Sequence, residues 1–458
     1  MRLSYQLVVE TQHSVELDLV PQGKPRDLQW IFVGGLCAVL FFAILAFGAV
    51  EEWSTFILEA GAGILFFLWA GRQLISGQLT VSRSPLYLPA ICFFTLVVAQ
   101  LVLRISAYTY VTKYELLRYC AFGIVLLIAT ECIQQEGARR KLGLTIIVFG
   151  AAYAFYALAQ ELTSKEKFFW LFTPRFHGSI YGSYVNHDHY AGLMEMLVPF
   201  PLVVTMGHMV RGGKRVLVGF CAVLMATTIL LSGSRGGMLS LAFEMIVFAG
   251  LTLYQRRNSR IALGTFAVCA SVLGLLIFLG KGQVLGRLGE LGPDMRLKIT
   301  QDCLRIFAHR PILGWGLGTF PTIYPSFRSF YTNLFVNEAH NDYAQLLVET
   351  GAIGFAVMIW FVYRLYRYGL PTSRRWEFKW DAAISVAALL GCTAMLLHSL
   401  VDFNLHVPAN AAVFYALCAL AVSRPPTTIS KQSTQVPELK IATTHPRPLN
   451  RNSAQRSE

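Results

Sequence analysis

The stretch NEAHNDYAQLLVETGAIGFAVMIWFVYRLY, residues 337–366, joins a polar loop directly to a membrane-length apolar run. From Tyr343 to Tyr363 the run contains one acid, Glu349, and no base. A helix needs roughly 20 mostly apolar residues to cross a bilayer, so this segment reads as a span with NEAHNDY at its water boundary. Similar runs recur along the chain, near 30–50, 54–71, 85–104, 114–133, 141–161, 189–209, 215–232, 236–254, 261–280, 381–400 and 405–422. The expected fold is an all-α integral membrane protein of about 12 transmembrane helices, with a long helical outer loop, about 281–342, between spans 9 and 10.

Composition agrees. Hydrophobic residues make up 55% of the chain and charged residues 14%, with a mean hydropathy of +0.50. These values exclude an ordinary soluble globule. The ends are polar. Residues 1–29 lack a basic stretch running into a short apolar one, so no cleaved signal peptide is expected there. Residues 423–458 are rich in Pro, Thr, Ser and Gln and read as a disordered tail. The expected organisation is a segment 1–29, a membrane domain 30–422 and a tail 423–458.

The net charge of +13 invites a nucleic-acid reading, but its distribution argues against one. Basic residues gather in alternate loops, such as Arg139-Arg140-Lys141, Arg211/Lys214/Arg215 and Arg256/Arg257/Arg260. About sixteen lie on one side and about four in the short loops of the other. By the positive-inside rule both termini are expected in the cytoplasm. The nine cysteines fall almost entirely within expected spans; Cys303 stands alone in the long loop. Neither a disulfide framework nor a zinc spacing is present.

With sides assigned, the unusual polar clusters fall on the outer side. The loop at about 162–188 carries Lys165, Lys167, Arg175 and His177 and ends in YVNHDHYAG. The turn SGSRGG, residues 232–237, holds Arg235 between glycines and serines, suited to gripping a phosphate. An interfacial arginine snorkelling to headgroups fits Arg235 equally well. In the long loop, PDMRLKITQDCLRIFAHRP places Met295, Ile299, Ile306 and Phe307 at a helical period, predicting an amphipathic helix on the outer surface. Arg296 sits in its first turn, where a cation opposes the helix dipole. An anionic ligand or lipid headgroups would each account for it. The following GWGLGTFPTIYPSF suits a turn with exposed rings, for sugar stacking or an aromatic belt.

His340 is the candidate general base, since an unperturbed imidazole is largely neutral at pH 7. Asp342 and Glu338 are its candidate orienters. Asn341 and Tyr343 complete the patch, with His398, Asp402 and His406 at the last outer turn. His187-Asp188-His189 raises the question of a metal, but one short turn rarely supplies a complete site, and none is expected.

Taken in order, SGSRGG, RPILGWGLGTFPTIYP and NEAHNDYAQLLVETGAIG resemble the O-antigen ligase / O-antigen polymerase superfamily. GSYVNHDHYAGLMEMLVP and HSLVDFNLHVPANAAVFYAL resemble its upstream outer loop and terminal segment, so the likeness runs from about 120 to 422. HDHY departs from the paired asparagines usual there. The resemblance implies a C-type membrane glycosyltransferase fold and a bacterial inner-membrane enzyme without metal or other cofactor. Its donor would be an undecaprenyl-diphosphate-linked glycan. Its acceptor would be a hydroxyl of a glycan, lipid A core or protein. By the same resemblance His340 matches the catalytic base, and Arg235 and Arg296 match arginines on the carrier diphosphate. Arg175 lies near a further such arginine.

Ligation is the first expectation and polymerisation, through the same site, the alternative. A solute transporter is the alternative from another class. The acids that would carry ions there are Glu59, Glu195, Glu244 and Glu349, but no clear internal repeat is visible.

Overall fold

A computed structural model describes residues 26–134, 137–164, 167–173, 180–254, 293–332, 335–372 and 379–422. The expected ninth span, 261–280, lies outside the described residues, as do Arg175, His177, Lys165 and nearly all of both polar ends.

The described residues are helical, with only two isolated bridges and no strand. In chain order the helices are α1 (Arg26–Leu45), α2 (Glu52–Ser76), α3 (Tyr87–Val102), α4 (Thr109–Cys132), α5 (Ala138–Thr163), α6 (His187–Leu197), α7 (Pro199–Met206), α8 (Gly213–Leu231) and α9 (Arg235–Tyr254). After the undescribed stretch come α10 (Pro293–His309), the short α11 (Phe320–Ile323), α12 (Asp342–Thr372), α13 (Trp380–His398) and α14 (Pro408–Val422).

Seven segments are long and apolar enough to cross a membrane, α6 and α7 together forming one of them. Helices α1, α3 and α14 are apolar but shorter. Helix α4 carries Lys113, Glu115, Arg118 and Glu131 and falls outside both groups. The expected count of twelve is therefore not reached among the described residues. The single span expected near 189–209 is interrupted at Val198, because Pro199 and Pro201 cannot donate to the preceding turn.

Helix α13 is the hub. It packs against α5, α6, α7, α9, α12 and α14. Its small residues, and those of α14, allow this closeness. A Cβ on Gly391 would come within 2.5 Å of the Met196 carbonyl oxygen. The α6–α7 segment is 83% buried over its apolar window, against 22% for α8. That contrast separates protein-enclosed helices from lipid-facing ones. Outward faces carry Phe56, Ile64 and Phe67 on α2 and Val216, Phe220 and Val223 on α8. The enclosed helices can hold polar side chains away from lipid, and they do.

The amphipathic helix predicted in the long loop is α10. It buries Ile299, Cys303 and Ile306 against Phe320, Ile323, Tyr324, Ala339 and Val348, forming a second small core. Phe320 and Tyr324, expected as exposed rings, are buried in it because α10 needs an apolar partner. Helix α12 breaks at Gly351, whose φ is +67°. The segment Pro311–Gly316 docks into that break, with Ala352 N donating to Pro311 O (2.8 Å) and Gly316 N to Glu349 O (2.9 Å). A Cβ on Gly351 would lie 2.3 Å from Ile312 O, so only glycine permits the approach.

Candidate functional site

Five helix termini meet at one end of the bundle: the starts of α6, α9, α10 and α12 and the end of α13. The turn from Ser399 to Val407, between α13 and α14, lies among them.

Helix α12 begins because Asn341 caps it, its Oδ1 accepting from Ala344 N at 3.0 Å. The residue before the cap, His340, is left in the left-handed region at φ +51°. Its Nδ1 lies 3.2 Å from Oδ1 of Asp402. Asp402 is 1% exposed. Burial alone would raise its pKa, but the hydrogen bond with His340 and the neighbouring His189 and His398 hold it well below the usual carboxylate range. An ionised Asp402 can only accept, so His340 Nδ1 carries a proton and Nε2 is the ring nitrogen left to face a substrate.

Asp402 is fixed in turn. Asn404 Nδ2 donates to its Oδ2 at 3.3 Å. Asn410 Nδ2 donates to Asn404 Oδ1 (3.0 Å) and to the His189 carbonyl (2.9 Å), and Tyr184 OH donates to Asn410 Oδ1 (2.8 Å). The chain Tyr184–Asn410–Asn404–Asp402–His340 links three segments through residues that, His340 apart, are buried. Phe403 meets the rings of His340 (4.9 Å) and His189 (4.7 Å) edge to face.

The other residues singled out in the sequence fall around this pair, in different partnerships. The candidate orienters of His340 are engaged elsewhere. Asp342 Oδ1 meets His406 Nδ1 at 2.6 Å and its Oδ2 accepts from Leu405 N. Burial disfavours charge on His406, but the carboxylates of Glu338, Asp342 and Glu349 outweigh this and push it up to about 10. Glu338 accepts from Gln345 Nε2 at 2.5 Å, and burial raises its pKa, partly offset by His406 and Gln345. Tyr343 OH donates to the Leu396 carbonyl, tying α12 to α13. These contacts shape the loop that presents His340.

Arg296 Nη1 donates to Val401 O at 2.8 Å, beside Asp402. Its Nη2 lies 3.7 Å from Asp188 Oδ2. Asp188 also lies near His187, and Asn186 caps α6 by accepting from Asp188 N. Among the described residues no group of three His, Cys, Asp or Glu is arranged to hold a metal ion. Arg235 opens α9, half-buried. Ser234 Oγ caps the helix by accepting from Gly237 N at 3.1 Å. Gly236 and Gly237 let this first turn close onto His398 of α13 and Ala191 of α6. His398 Nδ1 pairs with Glu195 Oε1 at 3.0 Å.

Sequence reasoning missed Asn404, Asn410 and Tyr184, and it read Glu195 and Glu349 as possible ion carriers. Glu195 pairs with His398, while Glu349 accepts from Gly318 N (2.8 Å) and Phe320 N (3.2 Å) and so holds the irregular segment at the α12 break. Neither oxygen of Glu244 has a hydrogen-bond partner among the described residues.

Residues 220–359 match the family model described as O-antigen ligase. That range contains Arg235, Arg296 and His340 and stops short of His398 and Asp402. No curated protein matches the chain. SGSRGG and NEAHNDYAQLLVETGAIG, which carried the resemblance, both lie within the matched residues.

Proposed function

We propose that this O-antigen ligase-like membrane protein transfers a glycan from an undecaprenyl-diphosphate carrier to an acceptor hydroxyl at the outer face of the inner membrane. The observation that carries the reading is the His340–Asp402 pair at 3.2 Å, buried on the carboxylate side and flanked by Arg296. In this scheme Nε2 of His340 takes the proton of the acceptor hydroxyl as its oxygen attacks the anomeric carbon. The bond from that carbon to the diphosphate oxygen breaks, inverting the configuration. The electron pair leaves with undecaprenyl diphosphate. Asp402 holds the imidazole tautomer and offsets the charge the ring acquires. Arg235 and Arg296 face the leaving diphosphate, and two guanidiniums can supply its counter-charge without a metal. Arg175 is proposed as a third contact on the strength of its place in the sequence.

Purified protein given lipid-linked glycan and a panel of acceptors should move glycan onto one of them, with turnover unaffected by chelator. A single addition would identify a ligase and a ladder of products a polymerase. Solute flux into proteoliposomes with no glycan product would overturn the reading in favour of transport.

A further inference from the structure

Where α10 ends, away from the His340 site, an open cleft of about 440 Å³ is lined by Arg104, Ile105 and the turn Arg310–Gly314. No acidic residue lines it. Two exposed arginines therefore line one cleft that no carboxylate lines, and this charge favours an anion there. Arg310 is held ready: its Nη1 donates to Ile105 O at 2.8 Å, and its guanidinium lies 4.1 Å over the Trp315 ring. The Arg104 backbone N donates to Leu101 O at 3.2 Å, at φ +56°, while among the described residues its side chain makes no hydrogen bond or ion pair.

The surroundings set the depth. The cleft opens just past the end of the apolar helix α3. Val102, Leu103 and Ile312 beside it are exposed apolar side chains. The exposed rings of Tyr108, Tyr110 and Tyr114 follow within a few residues, in mutual contact. Tyrosines beside the end of an apolar helix mark the headgroup level of a bilayer. We propose that the Arg104–Arg310 cleft binds the phosphodiester headgroup of an anionic membrane phospholipid, with the acyl chains lying against Val102, Leu103 and Ile312. The lipid would anchor the far end of α10, about 20 Å from Arg296 at 1.5 Å per residue. This site is separate from the diphosphate site and does not depend on the transfer chemistry.

The test is native mass spectrometry of the full-length protein in detergent with equimolar phosphatidylglycerol and phosphatidylcholine. Wild type should retain phosphatidylglycerol selectively. R104Q should weaken that retention about fivefold, the effect of one basic residue against an anionic lipid, and R104Q/R310Q should bring it to the phosphatidylcholine level. R104Q removes no contact that the described fold uses, so it reads the site even if R310Q perturbs folding. Equal retention of both lipids by wild type, or unchanged retention by R104Q, would overturn the proposal. Displacement of the lipid by millimolar inorganic phosphate would also overturn it, pointing to a free-phosphate site.

Discussion

His340 sits under two independent constraints. Its backbone is held at φ +51°, a conformation that costs a non-glycine residue on the order of 1 kcal/mol or more. Its imidazole is held by a carboxylate 62 residues away. Replacing Asp402 by Asn keeps the shape but removes the charge, and the amide can donate to Nδ1, selecting the wrong tautomer. Asp402→Asn should lower kcat by about 10² to 10⁴ with carrier binding little changed. Steady-state kinetics with a lipid-linked donor checks this; a rise in KM at constant kcat would contradict it. At this scale the sequence was half legible. His340 and Asp402 were both visible as polar residues beside spans, but their pairing was not, because no spacing rule joins a loop to a turn across two intervening helices. Asp342 and Glu338 looked like orienters only because they are adjacent in the chain. Adjacent residues around a helix cap point in different directions.

Among the elements, α14 carries Asn410 of the polar chain to Asp402, and α6 packs against Asn404 of that chain. Gly192 on α6 decides whether they fit. A Cβ there would meet Asn404 Oδ1 at 2.2 Å and Cγ at 2.6 Å, and Asn404 is fully buried. A helical Gly→Ala change ordinarily stabilises by up to about 1 kcal/mol. Gly192→Ala should instead destabilise by about 1–3 kcal/mol and slow transfer by displacing Asn404. Gly63→Ala on α2, where nothing lies within 4 Å, is the control expected to be neutral or stabilising. Thermal unfolding in detergent distinguishes the two. Helix α10 was readable in advance because Ile299 and Ile306 repeat at a helical period. The break in α12 was not readable. It depends on Gly351 and Gly314 admitting another backbone, and a glycine in an apolar run gives no sign of what will approach it. The roles of Asn404 and Asn410 were hidden for a similar reason: an asparagine near a span says nothing of its partner until the helices pack.

For the molecule as a whole, the same end of the bundle that gathers the candidate site also gathers charge. His406 lies among Asp342, Glu338 and Glu349 and is pushed up to about 10, whereas in an unfolded chain it titrates near 6.5. The folded pKa is the higher one. The stability contributed by the imidazolium is therefore complete below about pH 6.5 and is lost as pH rises through about 10. Wild-type Tm should decline from pH 7 to pH 10, and His406→Gln should flatten that decline; an unchanged slope would show that His406 does not carry it. The all-helical membrane architecture was legible from length and apolarity alone. The arrangement of helices about α13 was not, because in lipid the packing partner is chosen by small residues and polar contacts rather than by hydrophobicity. The central claim is that His340 is the base of a glycosyl transfer from a lipid diphosphate. It is tested most directly by single-turnover transfer with His340→Ala, measured beside carrier binding by the same variant. Transfer abolished with binding intact is the predicted result; transfer at the wild-type rate would contradict it.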